Sequence, residues 1–147
     1  MRIKNRYLLF EIDFKDQLIV ENMHGGIIAQ AFKDSVEQNF GDYGAGSVLS
    51  SLSVKYFSPF TSVGIVRTGR DDFRMVWAAL TFINQIRGRD CIIRVVHVGG
   101  TISKVQRAAI DLDRQLLGSL RRSKVIDYKT EESLQSRSQA EIGSIQL

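Results

Sequence analysis

Hydrophobic residues follow two rhythms along this chain. Over residues 2–14, Tyr7, Leu8, Leu9, Phe10 and Ile12 make a β-favouring run that is apolar on both parities, which predicts a strand covered on both faces. From 27 to 40 the rhythm changes. Ile28, Phe32, Val36 and Phe40 recur every four residues opposite Gln30, Lys33, Glu37 and Gln38, the pattern of an amphipathic helix. The glycine-rich stretch Gly41 to Gly46 is expected to end it. Over Val48 to Phe57, Leu52, Val54 and Tyr56 alternate with Ser51, Ser53 and Lys55, predicting a strand with one inward face. Ser58-Pro59-Phe60-Thr61 is a turn signal, and Val63 to Thr68 reads as the returning strand of an antiparallel hairpin.

The helical rhythm returns after Asp71 and Asp72, acidic residues suited to a helix start. Phe73, Val76, Trp77, Leu80 and Ile83 trace one apolar stripe as far as Ile86, and Gly88 is expected to close that helix. Cys91 to Val98 predicts the next strand. A last clear helix runs from about Thr101 to Arg121, with Ile102, Val105, Ala109, Leu112, Leu116 and Leu120 facing inward. The capping-box spacing of Ser103 and Gln106 also allows a start two residues later. Beyond Ser123 the chain turns polar, and Thr130 to Ala140 is expected to be a frayed helix or disordered tail. No internal repeat is present.

The element order β-α-β-β-α-β is that of an α+β, ferredoxin-like split βαβ fold, a four-stranded antiparallel sheet with two helices on one face, here with an extra C-terminal helix. Residues 1–122 form that domain and residues 123–147 a polar tail. Because the first strand is apolar on both sides, the second face of the sheet needs a cover. The third helix and a partner protein are the two candidates.

Composition narrows the chemistry. A length of 147 residues at 44% hydrophobic content suits one domain with a full core. No window approaches the run of roughly 20 apolar residues that a membrane helix needs, and the opening Met1-Arg2-Ile3-Lys4-Asn5-Arg6 has no apolar signal stretch behind it, so an intracellular chain is expected. Cys91 is the only cysteine and His24 and His97 the only histidines, which leaves no zinc-like spacing and no internal disulfide. The net charge of +4 is uneven: residues 1–122 carry 17 Lys+Arg against 12 Asp+Glu, whereas residues 123–147 carry 3 against 4. The domain is the basic part, which suits an acidic partner such as a nucleic acid.

Two motifs could meet phosphate. In His97-Val98-Gly99-Gly100-Thr101-Ile102 a strand breaks on two glycines and restarts as a helix whose first amides lack internal partners. Gly99 and Gly100 can take backbone angles that other residues avoid, and Lys104 and Arg107 follow one turn later on nearly the same face. The alternative is a tight turn and nothing more. In the opening segment Arg2, Lys4 and Arg6 share a parity, which spaces three cations roughly 6 to 7 Å apart along one side. They form either a comb for a phosphate backbone or a charged lead-in that keeps the strand edge soluble. Arg67, Arg70 and Arg74 gather at a strand end and helix start, Arg87 and Arg89 lie in a loop, and Arg121-Arg122 suit a helix C-terminus. The strand Val63-Gly64-Ile65-Val66-Arg67 lacks the aromatics with which an RNA-recognition motif stacks bases. No nucleophile or acid–base set is recognisable, and His97 reads as a structural strand-end histidine, with a general base as the alternative.

Four segments together carry a resemblance: Lys4-Asn5-Arg6-Tyr7-Leu8-Leu9; Val54-Lys55-Tyr56 leading to Thr61 and Gly64-Ile65-Val66-Arg67; Val76-Trp77-Ala78-Ala79-Leu80 with Phe82-Ile83; and His97-Val98-Gly99-Gly100-Thr101-Ile102. In this order they resemble the small ferredoxin-like protein subunit of ribonuclease P and ribonuclease MRP, the processing-of-precursor protein five family, over residues 1 to about 122. The resemblance implies a non-catalytic subunit that binds and supports a catalytic RNA during removal of the 5′ leader from precursor tRNA. It implies no cofactor on this chain, Mg2+ held by the RNA, a nuclear and nucleolar location, and a larger TIM-barrel-like protein subunit among its partners. Precursor tRNA is a further candidate contact. Lys4, Arg6, Gly99, Gly100 and Thr101 match family motifs as RNA-binding positions, and Tyr7, Tyr56 and Trp77 match as core or interface residues. Arg2, Arg67, Lys104 and Arg107 join the RNA-binding set from charge and spacing. A small-molecule sensing or homodimerisation domain of ferredoxin-like type is the alternative, and a phosphate-ester or acyl-phosphate hydrolase finds no signature.

Overall fold

The computed structural model describes residues 4–48, 50–122 and 127–145. Its elements are β1 (Asn5–Phe14), α1 (Gly25–Val48), β2 (Ser53–Ser58), β3 (Val63–Gly69), α2 (Phe73–Phe82), β4 (Gln85–Ile86), β5 (Arg89–Gly99), α3 (Ile102–Arg122) and α4 (Tyr128–Gly143). The strands form one antiparallel α+β sheet in the order β2-β3-β1-β5-β4. The sheet has five strands where the hydrophobic pattern predicts four. The added strand, β4, is half of a tight hairpin with β5. Arg87 and Gly88, both at positive φ (53° and 76°), supply the mirror-image turn that matches strand twist, so Gly88 opens a hairpin and does not close α2.

The doubly apolar β1 feeds two cores. Leu8, Phe10, Ile12 and Phe14 point to the face covered by α1 and α2, where Ile28, Phe32, Val36, Val76, Ala79 and Leu80 are buried. Phe10 meets Phe32 edge-on at 5.0 Å. Tyr7 and Leu9 point to the other face, where Tyr56, Val63 and Ile65 meet Val105, Ala109 and Ile142. That second face is covered from within the chain, by α3 and α4.

Local irregularities shift several expected positions. Gly41 (φ 71°, ψ −165°) breaks α1, and the chain resumes helix as far as Val48, so the glycine-rich stretch kinks the helix and the next strand starts only at Ser53. Beside that break Phe40 is partly exposed. An extra residue in β2 lets Val54 pair with Val66 and Tyr56 with Ile65. Val54 therefore packs with the α1/α2 core and Tyr56 with the α3/α4 core. The buried line of α3 is Val105, Ala109, Asp113 and Leu117, rotated from the expected stripe so that Leu112 and Leu116 flank it.

Helix α4 lies in the segment read as a polar tail. Its Leu134, Ser138 and Ile142 are buried, Gln106 of α3 donates to the Ile142 carbonyl at 2.8 Å, and Arg121 pairs with Glu131. Between these contacts sits a buried polar lock. Asp113 accepts from the Tyr56 hydroxyl at 2.6 Å and the Thr61 hydroxyl at 2.5 Å, and Ser138 lies 3.2 Å from the same Tyr56 oxygen. Burial raises the Asp113 carboxyl above its usual range. Burial, with the Asp113 charge beside it, raises Tyr56 as well.

Candidate nucleic-acid interface

Antiparallel pairing decides which residues meet. Asn5 lies opposite Gly69, and Tyr7 lies opposite both Arg67 and Gly99. The start of β1, the ends of β3 and β5, and the starts of α2 and α3 therefore share one end of the sheet. The Lys4 carbonyl accepts from the Arg70 amide at 3.0 Å. Arg6 donates through Nη1 to the Asn5 carbonyl at 3.1 Å, and its guanidinium passes over Gly100, where an added Cβ would lie 3.5 Å from Nη1. The cationic comb and the glycine corner are one place.

The structure divides the roles of the two glycines. Neither takes a left-handed φ, so conformational freedom is not what either position needs. Gly99 is buried, and a Cβ there would come within 2.7 Å of Val105 Cγ2. Its missing side chain lets α3 approach β5. Gly100 faces open surface beside Arg6. Thr101, Lys104 and Arg107 are exposed at the start of α3. Arg67 lies on the α3 face of the sheet, beside Tyr7, with Nε 3.5 Å from the Ser51 carbonyl. Partial burial, and then the charge of Arg67, lowers the Lys55 ammonium. Arg2 lies outside the described residues.

Ion pairing is richer at the opposite end, although Lys15 and Arg87 there are also outside any ion pair among the described residues. Among the described residues, Lys4, Arg6, Arg67, Arg74, Lys104 and Arg107 have no carboxylate within 4.0 Å, and Arg70 has only an exposed 3.9 Å approach to Asp71. At the far end Arg89 grips Asp16 through two nitrogens at 2.7 and 2.8 Å, donates to the Leu18 carbonyl and covers the Phe14 ring at 3.9 Å. Its guanidinium holds the Asp16 carboxyl down at about 2. Arg94 pairs with Glu11 at 3.1 Å. Unpaired cations from several elements at one rim create the kind of local positive field that attracts a polyanion.

Of the aromatic positions, Tyr7 and Tyr56 are core residues, at 2% and 5% exposure, whereas Trp77 is 41% exposed on α2. Its place in the apolar stripe suggested burial, but the inward face of α2 is carried by Val76, Ala79 and Leu80. Among the described residues no group of three His, Cys, Asp or Glu side chains is placed to hold a metal ion, and no helix is long and apolar enough to cross a membrane. The Asp113 lock was missed from sequence. Its signal was present in the four-residue spacing Val105, Ala109, Asp113, Leu117, which puts an acid on the buried line.

Over most of its length the chain is similar to known proteins. The ribonuclease P/MRP protein subunit POP5 of Schizosaccharomyces pombe is 44% identical over 123 residues, covering 78% of this chain and 88% of that protein. The subunit of the same name from Danio rerio is 31% identical over 141 residues, covering 92% of this chain and 81% of its own length. A chain in a cryo-EM structure of yeast ribonuclease MRP superposes with a TM-score of 0.51 over 69% of this chain and 78% of that one. At 10% identity that likeness is one of fold. The profile of the Rpp14/Pop5 family matches residues 6–110, a span running from Arg6 in β1 to the middle of α3, and the chain belongs to that family.

Proposed function

We propose that this chain is a non-catalytic protein subunit of the ribonuclease P and ribonuclease MRP ribonucleoproteins, and that its cationic sheet end binds and supports the RNA that removes the 5′ leader from precursor tRNA. The observation that carries the reading is the set of unpaired cations around Arg6, Gly100 and Lys104, in a chain of the Rpp14/Pop5 family. Phosphates along an RNA backbone meet such cations with release of counterions, so affinity falls steeply with salt. Precursor tRNA offers the same phosphate chemistry and is a second ligand for this rim. Magnesium for cleavage belongs to the RNA in this reading, and the chain works in the nucleus and nucleolus.

The strand order β2-β3-β1-β5 supports a ferredoxin-like core to which β4 is an addition. The larger TIM-barrel-like subunit is a partner in the same reading. Exposed aromatic side chains on the two helices of one face, Tyr43 of α1 with Trp77 and Phe82 of α2, support a protein neighbour there.

The test is the paired charge reversal Lys4→Glu, Arg6→Glu. Binding of purified ribonuclease P or MRP RNA is measured against salt. The plot of log affinity against log salt is expected to flatten by about 2 in slope, one for each phosphate that is no longer neutralised, with an unchanged melting curve. An affinity and slope equal to those of the unaltered chain would refute the assignment.

A further inference from the structure

Strand β5 runs for eleven residues, yet its outer neighbour β4 has only two. Gln85 pairs with Asp90 and Ile86 with Arg89, and the last bond of that hairpin joins the Cys91 amide to the Asn84 carbonyl at 3.0 Å. Beyond it, among the described residues, β5 has no strand on its outer side. The pairing phase shows which backbone groups are left. Lys15 donates to the Asp90 carbonyl at 2.9 Å, so Asp90, and with it Ile92 and Arg94, turn their peptide groups toward β1. Cys91, Ile93 and Val95 turn theirs away from it. The amides and carbonyls of Ile93 and Val95 therefore face outward along an open edge.

Natural edges of this kind are usually blunted by charge, proline or a covering loop. Here the side chains beside the open stretch are mostly apolar. Ile92 is 56% and Val96 49% exposed on the face away from α1 and α2, and α3 leaves them uncovered. Arg94 lies between them with its side chain largely in solvent, touching Glu11 through one nitrogen.

We infer that the open edge of β5, from Ile93 to Val95, receives an added strand from another protein chain, with apolar residues against Ile92 and Val96 and a carboxylate facing Arg94. Backbone pairing supplies the affinity in such strand addition, and alternate side chains supply the selectivity. A second copy of this chain fits the edge poorly. Antiparallel self-pairing that joins Ile93 to the copy's Val95 sets Arg94 directly opposite Arg94, a like-charge pair at the centre of the interface. A carboxylate in that place turns the same contact attractive. The site lies on the β5 side of the sheet and is independent of the cationic rim, although the assembly in which it is tested rests on the ribonucleoprotein reading.

The test compares hydrogen exchange of the chain alone with that of the chain in the ribonucleoprotein purified with it. The Ile93 and Val95 amides are expected to exchange about 100-fold more slowly in the assembly. In parallel, Ile92→Lys with Val96→Lys, both at exposed positions, is expected to deplete one protein component from the purified assembly while RNA retention and the melting curve hold. Equal exchange of the two amides in both states would overturn the inference. So would loss of the RNA and all protein components together in the double variant. A free chain that is already dimeric, and that these substitutions make monomeric, would assign the edge to a second copy and overturn it equally. Because the RNA-binding rim is untouched by these substitutions, a failure here leaves the salt-dependence test standing.

Discussion

The two ends of the sheet are built from the same kinds of residue and use them differently. At the far end charged side chains are spent on the fold: Arg89 forks onto Asp16, Arg94 meets Glu11, and Asp113 gathers the hydroxyls of Tyr56 and Thr61. At the near end Arg6 lies over Gly100, and the cations of β1, β3, α2 and α3 at this end of the sheet have no carboxylate within 4.0 Å among the described residues. A positive charge that neutralises nothing within its own chain adds little stability, so its presence is better understood from what approaches from outside. Basic composition spoke for the whole domain, whereas register gathers unpaired cations from several elements at one rim, although Lys15, Lys33 and Arg87 elsewhere also lack a carboxylate within 4.0 Å among the described residues.

Substitutions that separate stability from RNA affinity test that division. The largest effect is expected at the far end: Asp113→Ala leaves the Tyr56 and Thr61 hydroxyls without their buried acceptor and costs about 3 kcal/mol, read as a lower denaturant midpoint, with RNA affinity of the folded chain unchanged. Gly99→Ala is the exception at the near end, since its Cβ would press on Val105. A loss of about 2 kcal/mol is expected in chemical denaturation, while Gly100→Ala stays within about 0.5 kcal/mol because only the Arg6 guanidinium is near. Arg89→Ala should lower Tm by roughly 3 °C by releasing the loop at Asp16 and Leu18. Lys104→Ala should leave Tm in place and weaken RNA binding instead. A large stability loss from Lys104→Ala would erase the distinction between the ends.

Acidity sharpens the same comparison, with opposite signs for two carboxyls. Asp113 has a raised folded pKa, so its charge counts against the fold at neutral pH, and that penalty fades as pH falls through the folded value toward the unfolded one. The stability of the unaltered chain minus that of Asp113→Asn is therefore expected to be larger at pH 4 than at pH 8. Asp16 has a lowered pKa of about 2. Its contribution is present above the unfolded value near 3.8 and is lost as pH falls through about 2. Urea titrations of Asp113→Asn and Asp16→Asn, each against the unaltered chain across this range, measure both differences.

Periodicity made much of this architecture readable. The double parity of β1 foretold two covered faces, and the hairpin of β2 with β3 followed from a proline turn between alternating runs. The cationic comb and the glycine corner were separately visible as motifs, but their union depended on antiparallel register across some ninety residues, which no local pattern encodes. Single-residue events were also hidden. Gly41 looked like an end and is a kink. Gly88 looked like a helix stop and is a hairpin turn. Trp77 fitted an apolar stripe whose buried part needed only its smaller neighbours. Asp113 was passed over because an acid rarely stands on a buried line, and what makes it tolerable there is two hydroxyls more than fifty residues away in sequence.

The extra residue at Lys55 acts on β2 as a shift of frame. Upstream of it, the strand addresses its side chains to one layer of the protein, and downstream to the other. Deleting that one residue would make Val54 and Tyr56 neighbours in a regular alternation with the same partners, Val66 and Ile65, and the Tyr56 hydroxyl would still face Asp113. The bulge therefore lets two positions of equal parity serve opposite layers, and the strand carries Lys55 as an added side chain without disturbing either core.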